Sequence, residues 1–241
     1  MSTLPVVEVF GPTIQGEGEL AGMPTAFVRF GSCDYRCSWC DSLFAVLPED
    51  VRKAPRMTPA EVAAALAALA GNPEWVTLSG GNPALLELGE LVAILHADGR
   101  RVTVETQGSV WRDWLAAVDL LTVSPKPPSS GMATPANEEE TERFMQRAVA
   151  AAGRMVLKAV VFDEADYAWA SAVRARYAGL PFHLSCGTDP PGPGTSHAEA
   201  LDGVSERYRW LCERAARDPA MDGARILPQL HVLAWGHQRG H

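Results

Sequence analysis

The sequence predicts an α/β protein whose sheet is mainly parallel. Short apolar runs rich in β-branched residues, such as 155–162, alternate with stretches whose apolar residues recur at helical spacing, such as 85–97. This alternation is typical of parallel sheets, because each connection has to cross back over the sheet. About six or seven strands are available by this pattern. Both an open partial barrel and a doubly wound sheet therefore fit, whereas a full eight-stranded barrel needs more strands.

The predicted elements follow one another along the chain with few interruptions. The first strand is expected at 26–30. The first helix begins after Thr58, where the segment 58–61 (TPAE) forms a capping box with proline at the first helical position. Asp163 is predicted to cap a later helix. We expect the remaining strands at 75–79, 101–105, 120–123, 155–162, 181–185 and 225–227, and the remaining helices at 85–97, 111–118, 138–152, 163–178 and within 198–217.

The composition indicates one globular domain over residues 1–241. Hydrophobic residues make up 47% of the chain and charged residues 21%, which is an ordinary balance. The net charge of −8 argues against general binding along nucleic acid, which needs a basic face. No apolar run approaches the ~20 residues of a membrane span, and the first residues do not resemble a signal peptide, so we expect a cytoplasmic protein. The segment 187–196, rich in proline and glycine, is predicted to be a loop within this domain.

Three of the five cysteines cluster as C-x3-C-x2-C, at Cys33, Cys37 and Cys40. In a cytosolic protein such clustering favours metal binding or catalysis over disulfides. Three thiolates can hold three irons of a [4Fe–4S] cluster and leave the fourth iron open to a substrate's amine and carboxylate. A structural zinc site normally needs four ligands, and the segment contains no histidine. A zinc knot or chance clustering remains the alternative interpretation.

Other conspicuous residues also follow predicted strands. In the segment 79–83 (SGGNP), two glycines allow a ligand to approach the backbone closely, and an asparagine oxygen can accept an N–H bond without adding charge. Glu105 ends the next strand and is either a buried structural acceptor or a cofactor contact. Lys126 supplies a cation suited to a carboxylate, although most lysines are simply solvated. Because the C-terminal ends of parallel strands share one side of the sheet, we expect these residues to converge.

The cysteine spacing, with Trp39 before the third cysteine, resembles the signature of the radical S-adenosylmethionine (SAM) superfamily. The segments 10–18 (FGPTIQGEG) and 27–33 (FVRFGSC) more specifically resemble the 7-carboxy-7-deazaguanine synthase family, also called QueE. The likeness covers nearly the whole chain, since it continues through 40–42, 79–83, 105–108, 124–130, 227–231 and 235–236.

The resemblance implies a shortened TIM-like barrel with a radical SAM core and the activity of a carbon–nitrogen lyase. The implied reaction contracts the ring of 6-carboxy-5,6,7,8-tetrahydropterin to give 7-carboxy-7-deazaguanine and ammonia, in the biosynthesis of deazapurines such as queuosine. The implied cofactors are a [4Fe–4S] cluster, SAM and Mg²⁺. The implied partners are an electron donor such as flavodoxin or ferredoxin and a second copy of the chain in a homodimer.

The resemblance also assigns roles to individual residues. Cys33, Cys37 and Cys40 hold the cluster. Ser42 stands where many members have a threonine whose hydroxyl binds Mg²⁺, and it keeps the oxygen. Asn82 replaces a glutamate that usually contacts the methionyl amine. The residues expected at SAM are Trp39, Cys40, Asp41, Gly81, Asn82, Glu105, Ser124, Pro125 and Lys126, and those expected at the pterin are Ile14, Gln15, Gly16, Arg29, Ser79 and His231.

The chemistry of these residues agrees with several of the roles, but simpler interpretations exist. Arg29 presents a planar fork that can bind a carboxylate, and Gln15 offers both a donor and an acceptor to a pterin edge. Arg29 could instead pair with an acid in the sheet. Ser42 could cap a helix, Ile14 could be a core residue, and His231 could be a satisfied core histidine. At the level of function, the alternatives are a radical SAM activase that acts on a partner protein and a non-enzymatic iron–sulfur or zinc module.

Overall fold

A computed structural model describes residues 3–189, 197–236 and 238–240 of the chain, so most of the predicted loop at 187–196 lies outside the described residues. The described residues form nine strands and seven α-helices. The strands are β1 (Leu4–Ile14), β2 (Pro24–Phe30), β3 (Arg56–Met57), β4 (Trp75–Gly80), β5 (Arg101–Thr106), β6 (Leu120–Val123), β7 (Met155–Val161), β8 (Phe182–Cys186) and β9 (Arg225–Leu227). The helices are α1 (Pro48–Val51), α2 (Pro59–Ala67), α3 (Gly89–Ala97), α4 (Pro135–Ala151), α5 (Glu164–Arg176), α6 (His197–Ala216) and α7 (Leu230–Trp235).

The nine strands form one sheet in the order β3-β1-β2-β4-β5-β6-β7-β8-β9. From β2 to β9 each neighbouring pair is parallel, whereas β1 is antiparallel to both β2 and β3. In the described part of the chain the two edge strands, β3 and β9, do not pair with each other, so the barrel stays open. The structure therefore confirms the α/β class and the mainly parallel sheet.

A short 3-10 helix, Gly18–Leu20, closes the interior of the curved sheet at the N-terminal ends of the strands. Leu20 packs in a buried cluster with Trp75, Leu120 and Val156, which lie at or near the starts of β4, β6 and β7. One side chain touches three strands because the sheet curves around it. Burial of these apolar groups is favourable and seals this end, which leaves the C-terminal ends of the strands as the open side.

The helices begin where the sequence supplies caps. Thr58 and Glu61 form both bonds of the capping box at the start of α2. The Asp163 side chain accepts the Asp166 N–H at 2.9 Å at the start of α5. Both caps are confirmed, and each satisfies a backbone donor that the first helical turn leaves without a partner.

Several elements differ from the expectations. The helix predicted at 111–118 is a 3-10 helix at Asp113–Ala117, and the helix predicted from 138 begins at Pro135 because Thr134 caps it. The structure has four elements that the sequence pattern did not predict, namely β1, β3, α1 and α7. Among the described helices, none combines the length and the apolar character that crossing a membrane requires.

Candidate active site

A cavity opens among the C-terminal ends of the parallel strands. Its walls come from the end of β1, β2 and the segment after it, the ends of β4, β5 and β7, the segment after β6 and the start of α7. Three predicted site residues, Asn82, Ser124 and Pro125, lie outside its lining. The cavity does bring together the other predicted residues, which are Ile14, Gln15, Gly16, Arg29, Cys33, Cys37, Trp39, Cys40, Asp41, Ser42, Ser79, Gly81, Glu105, Lys126 and His231.

The three clustered cysteines line this cavity as free, half-buried thiols. Burial raises the pKa of Cys33 and Cys37 and raises that of Cys40 to about 11. The thiolate is the form that binds iron, so iron has to displace these protons. In the described residues, no group of three or more His, Cys, Asp or Glu side chains is placed to hold a single metal ion. Three thiolates are the donor set of a [4Fe–4S] cluster with one open iron, whereas a structural zinc site normally takes four ligands.

A buried carboxylate positions the indole of Trp39. The Trp39 Nε1–H donates to Ser129 Oγ at 3.0 Å, and Ser129 Oγ–H donates to Asp166 Oδ2 at 2.6 Å. Asp166 is fully buried and also accepts the backbone N–H of Ser129. The Trp39 ring packs against Phe162 with centroids 5.1 Å apart. These contacts fix one aromatic face at the cavity next to the cysteines.

The end of β4 lies directly against the segment that carries the cysteines. The Gly81 N–H donates to Phe30 O at 3.0 Å, and a Cβ at Gly81 would overlap the Ser32 carbonyl. Gly80 has φ +124°, a conformation that favours glycine. The two glycines therefore allow the backbone of the SGGNP segment to lie directly against the backbone of residues 30–32, beside the cysteine loop.

The structure places Asn82 outside the cavity lining, with its side chain bonded within the protein. Its side chain is fully buried, and its oxygen already accepts bonds from Thr106 Oγ1 at 2.8 Å and the Ala84 N–H at 3.2 Å. Its nitrogen donates to Asp34 Oδ1 at 3.1 Å and Ser109 Oγ at 3.0 Å. With its oxygen engaged twice and outside the cavity lining, Asn82 is not placed to accept a bond from a ligand amine.

Arg29 makes the contact that the simpler interpretation proposed, and it also lines the cavity. Its Nε donates to Glu8 Oε2 at 3.1 Å, so it does pair with an acid in the sheet. Its Nη1 donates to Ser42 Oγ at 2.9 Å, and the guanidinium carbon lies 5.5 Å from the Phe44 ring centroid. The guanidinium also lines the cavity. Arg29 is thus held rigidly at the wall with one edge anchored by Glu8.

Ser42 is a buried hydroxyl between two charged groups. Its Oγ–H donates to Asp41 Oδ1 at 2.8 Å, and its oxygen accepts from Arg29. It occupies the N-cap position of a 3-10 helix, Leu43–Ala45, but its side chain makes no capping bond. A remaining lone pair and the neighbouring carboxylate are hard oxygen donors, of the kind that Mg²⁺ prefers.

Gln15, Ser79 and His231 meet at the same cavity. Gln15 Nε2 donates weakly to Thr77 Oγ1 at 3.5 Å. The Ser79 hydroxyl is buried and has no hydrogen-bond partner among the described residues. The Leu230 N–H donates to the Gly16 carbonyl at 2.9 Å, and a Cβ at position 16 would overlap the His231 ring. The start of α7 therefore lies against the segment that follows β1, and the Ser79 hydroxyl is available to a ligand.

The structure places at the cavity a buried ion network that the sequence pattern did not predict. Lys158 on β7 donates to Glu17 Oε2 at 3.1 Å and to Glu105 Oε1 at 2.5 Å. Glu17 Oε1 also accepts from Ser185 and Gln229. Burial alone would raise the pKa of Glu17, but the electrostatic effects of Lys158 and His231, together with the hydrogen bonds from Lys158 and Gln229, outweigh it and hold this pKa at about 2. Burial would likewise lower the pKa of Lys158, and the two carboxylates raise it instead.

Glu105 and Lys126 both line the cavity. The Glu105 carboxylate is partly exposed at the cavity, and its Oε1 forms the ion pair with Lys158 Nζ. The Lys126 ammonium donates to Ser124 Oγ at 3.2 Å and lies 5.9 Å from the Trp39 ring centroid. Ser124 thus helps to position the Lys126 ammonium without lining the cavity itself. Pro125 lines a neighbouring cavity.

The fold and this site define the class of protein. Residues 27–150, about half of the chain, match the family model described as the radical SAM superfamily. The matched segment contains the three cysteines that line the cavity. The chain is therefore a member of the radical SAM superfamily.

Comparison with relatives identifies the family within this superfamily. The 7-carboxy-7-deazaguanine synthase of Bacillus cereus is 43% identical over the whole of both chains, and that of Bacillus subtilis is 41% identical over 98% of each. The crystal structure of QueE from Escherichia coli has a TM-score of 0.63 over 95% of both chains, and at 19% identity this likeness shows the fold alone. On the full-length identity, the chain belongs to the 7-carboxy-7-deazaguanine synthase family.

Proposed function

We propose that the chain converts 6-carboxy-5,6,7,8-tetrahydropterin to 7-carboxy-7-deazaguanine and ammonia, as a carbon–nitrogen lyase in deazapurine biosynthesis. The observation that carries this proposal is a single cavity lined by the three cysteines and also by Arg29 and Gln15. A radical reaction on a bound pterin needs both sets of residues within reach of one another. The full-length relatives that carry the name of this activity support it.

The cofactor side of the cavity would be formed by the cysteine loop. Cys33, Cys37 and Cys40 would hold a [4Fe–4S] cluster, which when bound supplies the electron that cleaves SAM to a radical. The fixed indole of Trp39 offers a face on which adenine can stack. Lys126 offers a cation to the methionyl carboxylate. Gly81 and Asp41 lie within the same wall.

The substrate side would be formed by Arg29, Gln15, Ser79 and His231. The Arg29 fork binds the pterin carboxylate, and the Glu8 pair on its other edge holds the fork in place. The buried Ser79 hydroxyl gains a partner when a polar ligand fills the cavity. These residues orient the substrate and exclude water, which protects the radical from side reactions.

Three further features are proposed from the resemblance. Electrons would come from a flavodoxin or ferredoxin, the chain would act as a homodimer, and the reaction would take place in the cytoplasm. Sedimentation of the purified chain would test the dimer, and a monomer at micromolar concentration would remove that part of the proposal.

The test of the function is incubation of the reduced, iron-loaded protein with SAM and the carboxytetrahydropterin under anaerobic conditions. We expect a product with the mass of 7-carboxy-7-deazaguanine and one equivalent of ammonia. A chain that forms 5′-deoxyadenosine on incubation with a partner protein but leaves the pterin unchanged would favour the activase. A chain that binds one zinc and no iron would favour the non-enzymatic module.

Replacement of Arg29 separates substrate binding from cofactor binding. Arg29→Ala removes a charge-assisted bond to the pterin carboxylate, so we expect KM for the pterin to rise about 10- to 100-fold, with KM for SAM changed less than about twofold. Steady-state kinetics with each substrate varied in turn measures both. Glu8→Gln is the control, because it removes the structural pair and keeps the guanidinium. If KM for the pterin rises equally in the two variants, Arg29 acts only through its pair with Glu8 in the sheet.

Replacement of Ser42 tests the magnesium site. Ser42→Ala removes the hydroxyl oxygen, so the Mg²⁺ concentration that gives half-maximal activity should rise about tenfold. Ser42→Thr keeps the oxygen and should titrate like the native protein. If the alanine variant responds to Mg²⁺ as the native protein does, the metal is held elsewhere.

A further inference from the structure

A chain of hydrogen bonds behind the cysteine loop ends at one of the cluster ligands. Asn82 Nδ2 donates to Asp34 Oδ1 at 3.1 Å, and Gln107 Nε2 donates to the same oxygen at 2.5 Å. The Gln107 Nε2 also lies 3.7 Å from Cys33 Sγ, within reach of an N–H···S bond. We propose that Gln107 donates to the Cys33 sulfur and thereby raises the reduction potential of the cluster, with Asn82 and Asp34 as positioning residues. The inference rests on the proposed function, because it requires the cluster.

The contacts of Gln107 fix the direction of its amide. The side chain follows β5 and is 4% exposed. A carboxylate only accepts hydrogen bonds, so the amide group facing Asp34 has to be the NH₂ and not the oxygen. One N–H is used on Asp34. The second N–H then has two acceptors, Cys33 Sγ at 3.7 Å and Ser109 Oγ at 3.4 Å.

Asn82 in turn fixes Asp34. The Asn82 oxygen accepts from Thr106 and from the backbone of Ala84, so its NH₂ has to point toward Asp34. Asp34 is thereby tied to two buried amides although its own residue is exposed to solvent. A glutamate at position 82 would place a second carboxylate against Asp34, which is unfavourable. Asparagine at this position is therefore matched to the aspartate of the cysteine loop.

The effect of the bond follows from charge. Reduction adds one negative charge to a cluster, and part of it resides on the ligand sulfurs. A donor that points at such a sulfur stabilises the reduced form more than the oxidised form, which raises the potential. The Tyr35 N–H already donates to Cys33 Sγ at 3.4 Å. Loss of Gln107 would thus remove one of the two donors that the described residues supply, and would shift the potential without abolishing reduction.

The experiment is a redox titration of the iron-loaded protein without SAM, followed by electron paramagnetic resonance of the reduced cluster. Gln107→Met keeps nearly the same shape and removes both N–H groups. We expect the ratio of reduced to oxidised cluster at a fixed poise to fall about fivefold, the effect of one ordinary hydrogen bond. Ser109→Ala is the matched comparison, since it removes the competing acceptor and leaves Cys33 Sγ to the second N–H, so its ratio should not fall below the native value. An unchanged ratio in Gln107→Met would overturn the inference.

Two further variants keep the inference testable if Gln107→Met fails to take up iron. Gln107→Asn retains the amide but is one methylene too short to reach the sulfur, so it should shift the ratio in the same direction. Asn82→Ala should give a smaller shift, because Asp34 loses one of its two donors. Native-like ratios in both would refute the bond. Native protein that assembles no cluster would instead refute the proposed function, so the two failures are distinguishable.

Discussion

Cys37→Ala should abolish both the iron content and the cleavage of SAM. The remaining two thiols can hold only two irons of a cluster that normally has three protein ligands. We expect the iron content to fall well below about four per chain. We expect 5′-deoxyadenosine formation to fall more than about 100-fold, which exceeds the usual effect of mutating a residue that only orients a metal ligand. Iron analysis and chromatography of the nucleoside measure the two quantities.

Cys212→Ala is the control for this substitution. Cys212 lies on α6, is half-buried, and does not line the cavity. The Cys212→Ala protein should therefore retain its iron and its ability to cleave SAM. Cys37→Ala protein that still contains four irons and forms 5′-deoxyadenosine would show that other residues bind the cluster.

The strands that the sequence predicted well are those whose burial shows in the residue pattern. All seven residues of β7 are buried, and its apolar run is visible in the sequence. The strand β1 has no such pattern, because Glu8 interrupts its apolar residues and two register shifts divide its pairing with β2. Its strand conformation comes from antiparallel pairing with residues that are distant in sequence, and a local pattern does not contain that information.

In the site, too, a local pattern predicts residues that are close in sequence but not those that only the fold brings together. The cysteine triad and Trp39 lie within one short segment, so their spacing predicts a shared site. Glu17 and Lys158 are 141 residues apart, and only the closure of the sheet brings them together. The one signal was a lysine inside an otherwise apolar strand, which indicates a buried and hence paired charge. For Asn82 the residue type suggested a ligand contact, whereas its neighbours determine what its amide can reach.

Lys158→Met should destabilise the protein by about 3–5 kcal/mol, the usual cost of removing one partner from a buried ion pair. The Lys158 side chain is 2% exposed and sits between Glu17 and Glu105, so its loss leaves Glu17 buried without its cation. Chemical denaturation at neutral pH gives the free energy of unfolding. Lys53→Met, at an exposed pair with Asp50, should change this quantity by less than about 0.5 kcal/mol.

The pH dependence distinguishes lost charge pairing from lost packing. In the native protein the pKa of Glu17 is held at about 2, below its ordinary 4.5, so its stabilising effect is present above pH 4.5 and is lost as the pH falls toward 2. The pKa of Lys158 is raised above 10.5, so its contribution is present below pH 10.5 and is lost at higher pH. Without Lys158, burial raises the pKa of Glu17, and the variant should lose stability as the pH rises. Its deficit relative to the native protein should therefore be larger at pH 8 than at pH 4, and Lys158→Met/Glu17→Gln should recover most of it. A deficit that is the same at both pH values would assign the loss to packing instead of charge.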